Sequence, residues 1–161
     1  MNQIMIVDYQ SEHQVYFEKF NRYWIEKYFV MEALDEFVLT NPEEAILKPG
    51  GAILMALYNG TVAGTVALRK VNDTVYEFTK MAVEERFQRK GIAEALSYAS
   101  FKKAKELGAD EVILYSNSIL KPAINLYRKL GFKHAPIGIG EYQRSDVKMT
   151  IAITQTESAT L

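Results

Sequence analysis

The chain's densest chemical signal lies at residues 81–96, Met-Ala-Val-Glu-Glu-Arg-Phe-Gln-Arg-Lys-Gly-Ile-Ala-Glu-Ala-Leu. An apolar strand pattern runs into a short basic loop, and the loop runs into a helical pattern. The free N–H groups and the positive dipole end of a helix make an anion site. Gly91 lets the backbone approach a ligand closely, and Ala93 leaves the helix start uncrowded. Arg86, Arg89 and Lys90 add positive charge to a chain whose net charge is −1. Together Gln88, Arg89, Lys90, Gly91, Ile92 and Ala93 suit a pyrophosphate. An exposed basic turn would have the same composition, so the pattern gains meaning from its place at a strand-to-helix junction. On the same strand, even spacing points positions 77, 79, 81 and 83 to one face. Glu77 is then a lone carboxylate in an apolar strand, open to a chemical role or to a plain salt bridge.

The elements that must position these residues follow from periodicity. A short strand covers 4–7. Ser11 and Gln14 fit a capping box, and the helix that follows carries Tyr16, Phe20, Tyr23 and Trp24 on one stripe. Most of that stripe is expected in the core, with a ring or two near the helix end free to line a pocket. Asn41-Pro42-Glu43-Glu44 reads as the start of a second helix, closed by Gly50-Gly51. Strands at 52–58 and 61–70 flank Asn59-Gly60, a strong hairpin signal, and a third strand covers 75–83. A helix over 91–107 presents Ile92, Ala95, Leu96, Ala99 and Leu107, with Lys103 snorkelling from the same stripe. A strand covers 112–115. Pro122 opens a short helix bearing Ala123, Leu126, Tyr127 and Leu130; Gly131 stops it, with Phe132 as the following contact. Strands at 132–137 and 147–153 complete the order β-α-α-β-β-β-α-β-α-β-β. This is a mixed α/β sheet in one domain over 1–161, with 154–161 expected as a frayed tail.

Composition bounds the function. The chain has 161 residues, 48% hydrophobic and 24% charged, ordinary for a globular protein. The near-zero net charge gives no bias toward nucleic acid or acidic membranes. No cysteine is present, which excludes a disulfide framework, a thiol nucleophile and Cys-type zinc sites. Two histidines, His13 and His134, argue against a histidine metal cluster, and both read as surface residues. No metal is expected. Neither a signal peptide nor an apolar run long enough to span a bilayer is visible, so a cytoplasmic protein is expected. No Gly-x-Gly-x-x-Gly or alternating βαβ pattern supports a dinucleotide fold.

Val83 with Gln88-Arg89-Lys90-Gly91-Ile92-Ala93 resembles the acetyl-CoA signature of the GNAT N-acetyltransferases. A second block also resembles that family: Asn117, then Ala123-Ile124-Asn125-Leu126-Tyr127-Arg128-Lys129-Leu130-Gly131-Phe132. The resemblance covers about residues 52–153 and implies the acyl-CoA N-acyltransferase fold with acetyl-CoA as co-substrate. It implies that the backbone of Met81, Ala82 and Val83 pairs with the pantetheine arm like an added strand. The amides of residues 88–93 would hold the pyrophosphate, and Asn117 would bond the cofactor arm where the sheet splays. Ala93 stands where the family more often has glycine, an accepted variant.

The chemistry so implied has three needs. Charge grows on the acetyl oxygen, and a backbone N–H near Val83 is the candidate donor. A thiolate leaves, and the resemblance places Tyr127 as its acid; a core aromatic is the alternative. An alkyl amine, with pKa about 10.4, is almost wholly protonated at neutral pH and must lose a proton. Glu77 is the base candidate, with a water chain as the alternative. Glu32, Asp35, Glu36, Glu43 and Glu44 form an acidic neighbourhood that the resemblance places near the acceptor. Such a wall would suit a cationic amine, although acids at helix starts also serve the dipole. The acceptor is a small-molecule or peptide amine; the latter would be a protein N-terminus or lysine. A non-catalytic acyl-CoA-binding module is the rival from another class. The sequence leaves a homodimer open.

Overall fold

The computed structural model describes residues 3–138 and 143–154. The expected tail, apart from Thr154, lies outside them. The chain opens with β1 (Ile4–Asp8), a 3-10 turn at Ser11–His13 and helix α1 (Gln14–Tyr28). The capping box sits one residue earlier than expected. Gln10 is the cap, and its N–H donates to His13 Nδ1 at 2.9 Å, because a tight 3-10 turn precedes the α-helix. The buried stripe of α1 is also rotated by one position, to Phe17, Phe20, Asn21 and Ile25. Tyr16 and Tyr23 are exposed, since a phenol ring can keep its polar tip wet.

Helix α2 (Ala33–Thr40) comes next, earlier than the helix expected from Asn41. Eight residues span barely two turns, too few for the helical period to stand out. Pro42 instead opens a single π-type turn, Glu43–Leu47. The meander β2 (Ala52–Tyr58), β3 (Thr61–Lys70) and β4 (Val75–Val83) matches the expected strands. A 3-10 turn at Glu85–Phe87 leads to α3 (Ile92–Glu106), β5 (Glu111–Ser116), α4 (Lys121–Leu130), β6 (Lys133–Ala135) and β7 (Val147–Ala152). Gly131 and Phe132 close α4 through bonds to Arg128 O and Tyr127 O, both 3.0 Å, as the C-terminal motif requires. Lys103 has a partner beyond snorkelling: its ammonium lies 3.2 Å from Asp8 Oδ1.

The strands form one seven-stranded sheet in the order β1-β2-β3-β4-β5-β7-β6. Helices cover both faces. On one face Leu54, Val66, Leu68 and Phe78 meet Ile92 and Leu96 of α3 and Ile124 and Leu130 of α4. On the other, Ile53, Met55 and Ala67 meet Phe17 and Ile25 of α1 and Val38 and Leu39 of α2. A Cβ at Gly64 would lie 3.2 Å from Ala82 O and from the side chains of Ile92 and Leu96, so α3 seats directly on β3. No helix among the described residues is long and apolar enough to cross a membrane.

Two irregularities shape the centre. The parallel pairing of β4 with β5 covers Val75, Tyr76 and Glu77 against Glu111, Val112 and Ile113 and then stops. Past that point β4 stays on β3 while β5 stays on β7, and the sheet opens. In addition, Thr65 faces Ala82 but Ala67 faces Thr79, so β4 carries one extra residue. Lys80 sits at this bulge with φ 55, left-handed for a non-glycine residue. The bulge breaks the period-two argument. Met81 and Val83 pack on the α3 side, whereas Glu77 stands beside Arg69 on the other face.

Candidate active site

A cleft of about 660 Å³ occupies the opening between β4 and β5. Its size fits a small-molecule or cofactor site. The N-terminus of α3 forms one end. Gly91 takes φ 84 and Arg89 φ 62, which turns the loop sharply into the helix. The first helical bond runs from Ala95 N to Gly91 O at 3.0 Å, so the amides of Ile92, Ala93 and Glu94 lie ahead of the helical ladder. An added Cβ at Gly91 would meet only Ile4 Cδ1 at 3.9 Å. Within the protein, the position needs glycine for its left-handed backbone rather than for room. Gln88, Arg89, Gly91, Ile92 and Ala93 line the cleft. The Lys90 side chain does not: its ammonium lies 5.4 Å from the Tyr58 ring centroid. Arg86 is likewise engaged elsewhere, 3.0 Å from Glu84 and over the Phe87 ring.

The open edge of β4 supplies the second wall, with Met81, Ala82 and Val83 all lining it. Glu84 N donates to Ala63 O, on the β3 side. Successive peptide groups alternate in direction, so the N–H and C=O of Val83 face the open edge. Trp24 of α1 has already claimed the carbonyl through Nε1, at 2.8 Å. Trp24 lines the cleft, as expected of a ring near the end of that stripe, and Tyr28, outside the expected stripe, lines it too in a near-parallel plane.

Tyr127 enters from α4. It is half-buried, edge-on to Phe78 and Phe132, and its hydroxyl has no hydrogen-bond partner among the described residues. Burial pushes its pKa up to about 12, so the phenol is protonated at any physiological pH. Asn117, just beyond β5, also lines the cleft, but both ends of its amide hold the chain. Oδ1 accepts from Ile119 N at 2.9 Å, and Nδ2 donates to Arg144 O at 2.6 Å. Glu77 reaches the cleft from the α2 side of the sheet, 5% exposed, with Arg69 Nε 2.9 Å from its Oε1.

Four of the five acids of this neighbourhood stand in ion pairs, and Glu43 accepts from a tyrosine hydroxyl. Asp35 is wholly buried, 2.9 Å from Lys80 and 2.8 Å from each of two Arg144 nitrogens. Burial alone would raise its carboxyl, but the Arg144 hydrogen bonds and the Lys80 charge prevail and hold it at about 2. Burial pushes the Lys80 ammonium below its usual value, against the pull of Asp35. Glu32 bonds Arg144, Glu36 bonds Arg22, Glu43 accepts from Tyr9, and Glu44 pairs with Lys48. His134 is exposed and touches Arg128, while His13 serves as a cap.

Asn21, Lys80 and Arg144 line the cleft and were not legible as site residues. Lys80 in a strand pattern looks solvent-facing, and no residue preference announces a left-handed lysine. Arg144 meets Asp35 across 109 positions of sequence. Asn21 lies one turn before Trp24, mid-helix, where an asparagine ordinarily faces solvent.

Comparison with known proteins agrees with this geometry. The model of the acetyltransferase (GNAT) family matches residues 9–132. An N-acetylaspartate synthetase of Xenopus tropicalis is 29% identical over 126 residues, 75% of this chain and 46% of that protein. The chain thus spans less than half the length of that relative. A GNAT-family acetyltransferase from Staphylococcus aureus superposes with a TM-score of 0.83 at 19% identity, covering 94% of this chain and all of that one. The structure of yncA from Salmonella typhimurium, solved with its cofactor acetyl-CoA, superposes at 0.75 with 17% identity, over 94% of this chain and 95% of that one. The fold is that of the acyl-CoA N-acyltransferases, and the chain belongs to the GNAT acetyltransferase family.

Proposed function

We propose that the protein binds acetyl-CoA in the β4–β5 cleft and transfers its acetyl group to a primary amine by direct attack in a ternary complex. The observation that carries this reading is one continuous cleft. It joins a helix N-terminus whose first amides lie ahead of the helical ladder, an open strand edge and a protonated phenol with no hydrogen-bond partner among the described residues. These residues fit the co-substrate. The amides at 88–93 would hold the pyrophosphate, the edge at Met81, Ala82 and Val83 would pair with the pantetheine amides, and Asn117 would border the arm.

Acetyl-CoA would supply the activated thioester. The Val83 N–H faces the side where charge grows on the acetyl oxygen. Tyr127 would donate its proton to the sulfur as the C–S bond breaks and the N–C bond forms. Glu77, or a water between it and the nitrogen, would take the amine proton; Arg69 Nε lies 2.9 Å from Glu77 Oε1. The acceptor is a small-molecule or peptide amine. Ion pairing of Glu32, Asp35, Glu36 and Glu44 weakens the case for a polycation.

The test is thiol release from acetyl-CoA with a panel of L-aspartate, spermidine and a short peptide with a free N-terminus. Amine-dependent release supports transfer. Tight acetyl-CoA binding with no release under any amine would support the binding-module reading instead. Absence of acetyl-CoA binding would sink both.

A further inference from the structure

Asn21 is only 4% exposed, yet it lines the cleft from the middle of α1. Its Nδ2 donates to Phe17 O at 3.0 Å, which fixes the orientation of the amide. Its Oδ1 has no hydrogen-bond partner among the described residues. No buried side-chain oxygen or nitrogen among those residues lacks a partner, so Oδ1 keeps contact with open space, and that space is the cleft. A nearly buried carbonyl oxygen is thus held toward the cavity with its lone pairs unused.

Folding does not account for it. Phe17 O already accepts the backbone N–H of Asn21 in the helix, so the side-chain bond is surplus. The neighbouring buried positions of α1 are Phe17, Phe20 and Ile25, among which leucine would pack better. The site demands a donor, and a carbonyl cannot serve an anion or a second acceptor.

We propose that Asn21 Oδ1 binds the acceptor amine, taking one N–H of the incoming nitrogen and leaving its lone pair free for attack. The proposal rests on the acetyl-transfer reading above and deepens it. Trp24, one turn further along α1, reaches the last carbonyl of β4, so the same helix lies against the strand end where the thioester would sit. Asn21 would therefore set amine affinity and orientation without touching the coenzyme.

The experiment is steady-state kinetics of Asn21→Leu, with whichever amine of the panel the parent acetylates best. The KM for the amine should rise at least about tenfold, the worth of one hydrogen bond in a desolvated site. The Kd for acetyl-CoA should stay within about twofold, and Tm should be unchanged or higher. Should Asn21→Leu fail to fold, Asn21→Ala, a good helix former, gives the same reading. An unchanged amine KM in an active, folded variant overturns the proposal. So does a parallel loss of acetyl-CoA affinity, which would mark a structural role. A parent that acetylates no amine of the panel overturns the broader reading as well, and the absent parent rate tells the two failures apart.

Discussion

Lys80 Nζ lies 2.9 Å from Asp35 Oδ1, and both side chains are shut away from solvent. The pair joins the bulge of β4 to α2, and Arg144 closes on the same carboxylate from the segment before β7. Three stretches distant in sequence therefore meet at one carboxylate on the α2 side of the cleft. Lys80 makes the contact from the left-handed position at the bulge.

Asp35→Asn should be among the most destabilising single changes at this site. It leaves the buried Lys80 and the part-buried Arg144 with one negative charge fewer, which costs about 3–5 kcal/mol at neutral pH. The Asp35 pKa falls from 3.8 to about 2 on folding. Its contribution is therefore complete above about pH 4 and lost as pH drops toward 2. Urea unfolding of parent and variant across that range should show their stabilities converging as the pH falls. Parallel curves would contradict the ionised pairing.

Gly91→Val should lower acetyl-CoA affinity at least about tenfold. A β-branched residue resists φ 84, and the loop would relax away from the helix start that presents its amides. The space around Gly91 is open, so the fold should persist. Gly91→Asn, which tolerates the left-handed region, should retain more affinity than the valine variant. Calorimetric titration with acetyl-CoA distinguishes them, and equal affinities in parent and Gly91→Val would sink the assignment.

Tyr127→Phe should cut turnover at least about tenfold, since a general acid is typically worth a hundredfold or more. The hydroxyl has no partner within the described structure, so Tm and acetyl-CoA affinity should change little. Because burial holds the phenol near 12, no tyrosine-dependent fall in rate should appear below about pH 10 in the parent. Turnover within about twofold of the parent would make Tyr127 a packing residue.

Glu77→Gln should slow turnover most at low pH, where almost every amine carries its proton, with the deficit shrinking toward the amine's own pKa near 10.4. The Arg69 contact must be controlled for, since loss of that ion pair can act on stability alone. A Tm measurement beside the pH–rate profile separates the two. An unchanged profile would move proton removal to water.

Local chemistry made much of this protein legible from its sequence. Asn59-Gly60, the run into Gly91 and the Gly131-Phe132 stop fixed the β2–β3 turn, the start of α3 and the end of α4, because each depends on residues adjacent in the chain. The loop into α3 and the element order follow from the same short-range signals, except that the second helix lies at Ala33–Thr40 and not after Asn41. The bulge at Lys80 left no such trace. One inserted residue reversed which face Glu77 shares with Met81 and Val83, and only pairing with β3 fixes that register. The acids near α2 are open to reading as a negative wall or as helix-start acids, because their partners Arg22, Lys80 and Arg144 are remote or carry no local signal. Likewise Asn21 looked like any mid-helix asparagine until the sheet determined which side of α1 it would cover. Short-range stereochemistry set the elements and the loop. Long-range packing decided which side chains meet across the cleft, because register and charge pairing depend on strands and helices far apart in the chain.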